Sequence, residues 1–430
     1  MSPLFGIFAL ALFMASSGAN AQTITAPAAL PTVTATTMAT LPGVIGVAAS
    51  PTLLVAVNQT DCDQVFSVSG SGHLSLFATV PVTNAACFGP SQYGGLEPAI
   101  AISGGQGGFP CNEVYLAIDD DVGSTIQAQI YQINPDGTHV QLFATLPGAE
   151  GDMGIIFDNV GTFNHSMIVT SSFNGEIWVL GPQGSSHGTV APWLKLTKTV
   201  IEGPWVAPMS FGKAGGDMFI ASQKYWDPIN STYVNGVVLA ITPSGASSIF
   251  ASWSDAESIA FDSASNLATF ENTGAALIIA DQTDGLIEEL PASDFVNHGG
   301  QGFVDSEDGA GIAAIASTGT TSLFAPTSAH VDLEVIAFVT QTVCHPCSPC
   351  GGQSCQPCQG WGQPCCHQPC GNQCGNPCGN QCGNRCGSPC GNPCGNQCGN
   401  PCQNGNGPTP CGNNGHNPCG NQGGNNCGYW

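Results

Sequence analysis

The chain has 430 residues, with 29 Asp and Glu against 5 Lys and Arg, and a formal net charge of −24 at pH 7. A body this acidic repels nucleic acid and anionic membrane surfaces and attracts cations, so no nucleic-acid partner is expected. After the first residues no apolar run reaches the length of a bilayer span, so no membrane span is expected either.

Residues 4–14 form an apolar run, followed by small residues and Ala19-Asn20-Ala21. This is the pattern of a secretory h-region and an A-x-A cleavage site, so residues 1–21 are expected to be a signal peptide. The mature chain is then secreted, extracellular or held at the cell surface. Residues 22–42 are rich in Ala, Thr and Pro and read as a linker or a single edge strand.

From residue 43 to 340 the pattern is β throughout, with no convincing amphipathic helix. One unit recurs. Residues 130–147 read IYQINPDGTHVQLFATLP, residues 65–81 read VFSVSGSGHLSLFATVP, and residues 237–253 read VVLAITPSGASSIFASW. Each is a strand, a tight turn and a strand, the turns being rich in Gly, Pro, Asn and Ser. Phe77-Ala78-Thr79, Phe143-Ala144-Thr145 and Phe250-Ala251-Ser252 close the three copies. Six such turns occur, at 69–72, 134–137, 182–184, 242–245, 282–285 and 317–319.

Two further strands are expected before each turn. The first of each set, rich in small or apolar residues, covers 44–49, 98–103, 153–158, 205–211, 258–262 and 302–305. The second covers 53–57, 113–118, 167–171, 218–222, 267–270 and 311–314. Four short strands repeated six times predict an all-β chain folded as a six-bladed β-propeller, which protects sheet edges by radial repetition. A β-sandwich or two stacked β domains is the alternative.

The strand–turn–strand copies, and the run Glu257-Ser258-Ile259-Ala260-Phe261-Asp262 followed by Ser265-Asn266-Leu267, resemble six-bladed propellers of the NHL-repeat and gluconolactonase-like type. Ile201-Glu202-Gly203-Pro204-Trp205 is similar to the Glu-Gly-Pro stretch whose Glu binds the divalent metal in gluconolactonase-like enzymes. In that family the Glu lies in the first blade, whereas here the stretch opens the fourth expected blade. The resemblance implies a metal-dependent lactone or ester hydrolase with Glu202 as a ligand.

In such a blade the start of the inner strand and the end of the second strand share one face. Those positions collect Glu97, Asp152, Glu202, Glu257 and His298, then Asp119, Asp120, Asp121, Glu271 and Asn272. Glu97, Asp119, Asp152, Glu202, Glu257 and Glu271 are therefore the candidate metal ligands. Converging carboxylates suit hard cations, Ca2+ or another divalent ion, and they raise one another's pKa. Acids that merely solvate loop ends are the plainer alternative. No H-E-x-x-H, P-loop or dinucleotide motif is present, and no catalytic nucleophile is assigned. Asn58-Gln59-Thr60, Asn164-His165-Ser166 and Asn230-Ser231-Thr232 have the form of glycosylation sequons.

Of 22 cysteines, only Cys62, Cys87 and Cys111 precede residue 341. Cys87 and Cys111 flank one long loop and are the expected disulfide, which would stabilise by about 3 kcal/mol in the chain-entropy model. Cys62 is then left buried or paired with the tail. Residues 341–430 are a low-complexity tail of Cys, Gly, Asn and Pro, unable to build an apolar core. Cys370, Cys374, Cys378, Cys382, Cys386, Cys390, Cys394, Cys398 and Cys402 recur at every fourth position. Three readings follow: disulfide cross-linking to other copies or to other proteins of an extracellular coat, sheath or surface layer; a soft-metal thiolate cluster; or an inert tail. The first gives the leading expectation, an exported structural or interaction protein.

Overall fold

The computed structural model describes residues 33–81, 97–118, 127–184, 190–227, 230–262, 267–327 and 331–341, with a short pairing of Gln356–Pro357 against Pro364–Cys365 beyond them. Residues 1–32, which include the expected signal peptide, and almost all of the tail lie outside the described residues.

The first strand, β1 (Thr36–Thr40), joins the sheet that is completed last. Blade one follows as β2 (Val44–Ser50), β3 (Leu53–Asn58), β4 (Gln64–Val68) and β5 (Leu74–Thr79). Blade two is β6 (Ala99–Gly104), β7 (Cys111–Ile118), β8 (Ala128–Ile133) and β9 (Val140–Leu146). Blade three is β10 (Met153–Phe157), β11 (Met167–Ser171), β12 (Glu176–Leu180) and β13 (Leu194–Lys195). Blade four is β14 (Pro204–Val206), β15 (Met218–Asp227), β16 (Thr232–Ile241) and β17 (Ser247–Ser252). All four are simple antiparallel meanders.

The last two blades interleave. After β18 (Ala256–Phe261), the inner strand of blade five, the chain crosses over and lays down the hairpin β19 (Ala275–Asp281) and β20 (Leu286–Pro291) in blade six. It then returns to complete blade five with β21 (Gly302–Ser306), β22 (Ile312–Ile315) and β23 (Thr321–Ala325). β24 (Leu333–Phe338) is the inner strand of blade six, and β1 is its outer strand, paired with β20 from Thr36 opposite Glu289 to Thr40 opposite Leu286. Inner strands β2, β6, β10, β14, β18 and β24 contact one another in that order, and β24 returns to β2. The closed ring is a six-bladed β-propeller.

Interleaving corrects the expected strand order at the end of the chain. Residues 302–305 form the second strand of blade five, not an inner strand, and 311–314 belong to its third. Residues 267–270 form no strand. The wholly buried AALIIAD of β19 is a second strand instead, set between β24 and β20 in blade six. The turn at 282–285 joins second and third strands, whereas in the other five blades the corresponding turn joins third and fourth. Residues 36–40 are the edge strand of the two readings for that segment.

The core is distributed as six apolar wedges, one between each pair of adjacent blades. The recurrent Phe-Ala pair has a structural cause. In β5, β9, β17 and β23 the ladder shifts by one residue and passes over Phe77, Phe143, Phe250 and Phe324. Such bulges re-aim a side chain. Here Phe143, Phe250 and Phe324 enter edge-to-face aromatic contacts with residues such as Tyr115, Phe219 and Phe303.

The turn glycines pack against the preceding blade. Gly137 has φ 74°, and a Cβ there would lie 2.1 Å from the Phe77 carbonyl oxygen; Gly319 repeats this against Phe250 at 2.3 Å. Gly137→Ala is therefore expected to cost about 2 kcal/mol and lower Tm by roughly 4 to 8 °C. Gly181→Ala, with nothing within 4 Å of the added carbon, should leave the melt unchanged. Equal melting temperatures for the two variants would contradict this packing.

Candidate metal centre

Every inner strand starts at the same end of the propeller, so whatever residue occupies that position faces the axis. In blades two to six the residues are Glu97, Asp152, Glu202, Glu257 and Glu334. Blade one offers Ile45 instead, in the ladder irregularity between Val44 and Gly46. All six line one axial cavity, and no Lys, Arg or His among the described residues shares it. Below this ring the walls are apolar, from Ile100, Ile155, Ile259 and Ile336.

Small residues let the strands approach this closely. A Cβ at Gly154 would meet the Pro204 ring and the Thr170 hydroxyl, both at 2.5 Å, and one at Gly203 would meet Ser258 at 2.9 Å. Backbone bonds fix the acids in place. The Glu202 amide donates to Ala221 O (2.9 Å), the Gly203 amide to Glu257 O (3.0 Å), and the Thr170 hydroxyl to Glu202 O (2.9 Å).

The carboxyl groups are deeply buried: Glu202, Glu257 and Glu334 are 4%, 6% and 4% exposed. Gln59 Nε2 donates to Glu97 Oε1 (2.8 Å), and Glu97 is in turn hydrogen-bonded to Asp152. Two carboxyls can share such a bond only if one holds a proton. Gln223 Nε2 bridges Glu257 Oε2 (3.1 Å) and Glu307 Oε2 (2.7 Å). Glu202 Oε1 is buried with no hydrogen-bond partner. Glu257, Glu307 and Glu334 each bring a carboxylate oxygen within 4.8 Å of the others.

Magnitudes decide the state of this ring. Two unit charges 4.8 Å apart repel by about 3 kcal/mol at an effective dielectric near 20. Full ionisation of all three would cost roughly 10 kcal/mol, comparable to the whole folding free energy of a domain. Burial first, and neighbouring carboxylates second, push Glu202, Glu257 and Glu334 well above the usual carboxylate range. Burial also raises Asp152, and takes Glu307 to about 7 and Asp332 to about 6. Asp305, fully buried, rises to about 8, although Ser258 donates to it through its amide (2.6 Å) and hydroxyl (2.9 Å). The ring must therefore carry protons or a cation.

Of the candidate ligands, Glu97, Asp152, Glu202 and Glu257 converge in the ring. Glu271 does not. Its carboxylate accepts from the Gly70 amide (2.9 Å) and its own amide donates to Pro51 O (2.8 Å). Both partners lie in turns of blade one at the end opposite the ring, because residues 267–270 do not form the expected second strand. Asp119, Asp120 and Asp121 lie outside the described residues. Asn272 follows Glu271 in that same segment and is exposed. His298 begins no inner strand; its Nδ1 bonds Gln301 Oε1 (2.8 Å) and its ring packs on Phe324.

Glu334 and Glu307 escaped the sequence reading because the last blades interleave. A signal existed: Glu334-Val335-Ile336-Ala337-Phe338 repeats Glu257-Ser258-Ile259-Ala260-Phe261 at four of five positions. Of the body cysteines, Cys62 is fully buried, and Cys62 and Cys111 are both disulfide-bonded. Cys87 lies outside the described residues, as do the nine tail cysteines at 370–402, so the expected Cys87–Cys111 pairing does too.

No known family matches the chain, and no curated protein does. Similar solved structures include a streptogramin B lyase, 13% identical over 66% of this chain and 70% of that one, with a TM-score of 0.37. A gluconolactonase from Xanthomonas campestris is 13% identical over 68% and 80%, at 0.38, and a glucose dehydrogenase is 13% identical over 70% and 98%, at 0.40. No activity is carried over from likenesses this distant. The chain is a six-bladed β-propeller whose axis is ringed by buried carboxyl groups.

Proposed function

We propose that the propeller is a divalent-cation-dependent module, with one hard cation held in the axial carboxylate ring. The observation that carries this is Glu202 Oε1, a buried oxygen without a partner among mutually repelling carboxyls. Hard cations such as Ca2+ take carboxylate oxygens, and the ring offers neither thiolate nor imidazole. Glu257, Glu307 and Glu334, whose carboxylate oxygens lie within 4.8 Å of one another, would hold the ion, with Glu202 joining them from the wall of the same cavity.

The hydrolase reading has a specific support: Glu202, the acid of the Glu-Gly-Pro stretch, lies on the axis. A bound divalent ion supplies Lewis-acid polarisation of a carbonyl oxygen. The chain's own contribution would be proton transfer. Asp152 and Glu97, which share a hydrogen bond, can hold or release one proton.

Millimolar Ca2+ should raise Tm by several degrees in metal-stripped protein, and no shift with Ca2+, Mn2+ or Zn2+ would sink the cation reading. A panel of lactones and esters tests hydrolysis separately. Metal-dependent turnover lost in Glu202→Ala is expected, and its absence removes the hydrolase and leaves a binding module. The coat role expected from the tail rests on residues 370–402 and is decided by migration of native material on reducing and non-reducing gels. Migration as a monomer under both conditions, with the tail thiols free, would exclude it.

A further inference from the structure

Blade four carries an extension that the cation site does not use. β14 pairs only with Met218–Ile220, yet β15 and β16 remain paired out to Asp227 and Thr232. An isolated pairing of Val200 with Lys224 adds a third short strand, so a small ribbon continues past the level of the carboxylate ring. Side chains alternate along it. Gln223 reaches the acids, and Lys224 and Trp226 lie on the other face, opposite Asn235 and Tyr233.

That face holds a continuous strip. Lys198 Nζ sits 4.4 Å from the Trp226 ring centre, Trp226 meets Tyr233 edge-on at 5.0 Å, and Lys224 Nζ sits 4.5 Å from the Tyr233 ring centre. Tyr233 is 45% exposed, and both lysines are exposed. Outside the tail the chain has only four basic residues, Lys195, Lys198, Lys213 and Lys224. Lys195 is paired with Glu176 at 2.9 Å. Lys198 and Lys224 form no ion pair among the described residues, in a chain with 29 acids. They rest instead on ring faces, a contact that is weak at exposed sites and easily exchanged for a charge-assisted bond to an anion.

We propose that this strip binds an acidic glycan, an oligosaccharide of uronic-acid units. Two ammonium groups at either end of two adjoining rings match a ligand that alternates carboxylates with C–H faces. As the lysines swing to the carboxylates, the ring faces they cover become free to stack on the sugars. A neutral glycan would leave the lysines without a role. Screening confines the field of the body's net charge of −24 to about 8 Å at physiological salt, so a short anionic oligosaccharide meets chiefly the groups of the strip itself. This inference does not depend on the cation reading.

The experiment is calorimetric titration of the full chain with tetragalacturonate and with its fully methyl-esterified form, in 150 mM salt and excess chelator so that the axial site stays empty. The acid should bind, and the ester should bind at least tenfold more weakly. Trp226→Ala and the pair Lys198→Gln with Lys224→Gln should each lose at least tenfold while melting as the wild type does. No binding by the wild type, equal binding of the ester, or unchanged binding by folded variants would overturn the proposal. So would a concentration-dependent oligomer that Trp226→Ala dissociates, which would assign the strip to a second copy.

Discussion

In excess chelator the propeller is expected to lose thermal stability steadily as pH rises from about 4 to about 8, and a divalent cation should reverse the loss. Carboxyl groups whose folded-state pKa is raised behave opposite to the usual paired Asp or Glu. They hold protons in the folded chain that the unfolded chain has already released, so stability is complete below the ordinary value and lost as pH climbs to the folded one. For Glu307 that window runs from its ordinary 4.5 to about 7, for Asp332 from 3.8 to about 6, and for Asp305 from 3.8 to about 8. Glu202, Glu257, Glu334 and Asp152 act in the same direction, chiefly through burial. Mutual repulsion of about 3 kcal/mol per close pair makes the combined effect several kcal/mol, roughly 10 °C in Tm. Calcium added at pH 8 should recover most of it, because an ion that binds only the folded state stabilises by mass action. A melting temperature flat or rising from pH 4 to 8 in chelator would contradict the raised values.

Glu202→Gln separates a cation ligand from a structural acid. The amide keeps the shape of the side chain and removes one ionisable group from the ring. Without cation at pH 8 the variant should be more stable than the wild type by about 1 to 2 kcal/mol, since relief of repulsion outweighs an imperfectly placed amide. With Ca2+ the order should reverse, because the variant lacks a ligand. Glu271→Gln is the matched control. It lies at the other end of the propeller on the Gly70 amide, and should leave the calcium response intact. Differential scanning calorimetry with and without Ca2+ reads both. A Glu202→Gln variant less stable than wild type in chelator, with an unchanged calcium shift, would make Glu202 an ordinary structural residue.

Much of this architecture is visible in the chain itself, for physical reasons. The Phe-Ala pair recurs because each outer strand of that kind needs a bulge to turn its Phe into the blade interface, and the turn glycine recurs because the preceding blade leaves no room for a Cβ. Glu97, Asp152, Glu202 and Glu257 stand out because the inner-strand start is one position repeated from blade to blade. What stayed hidden is where the chain leaves that order. β18 is followed in sequence by a hairpin of the next blade, so counting strands in series turned β21 into an inner strand, made a ligand of Glu271 and passed over Glu334. Pairing between strands distant in sequence leaves no local periodicity, and here only the repeated pentapeptide at Glu257 and Glu334 betrays it. Ile45 is the converse case: the same position in blade one is apolar, and pattern alone does not say that it closes the carboxylate ring.

We propose above that Glu257, Glu307 and Glu334, together with Glu202, hold one hard cation. Equilibrium dialysis of metal-stripped protein against micromolar radioactive Ca2+ at pH 7.5 and physiological salt tests it most directly, with Glu257→Gln combined with Glu334→Gln as the comparison. One ion retained per wild-type chain, and none above background by a variant that still folds, is the predicted result. No retained ion in the wild type, or equal retention by both proteins, would contradict the account.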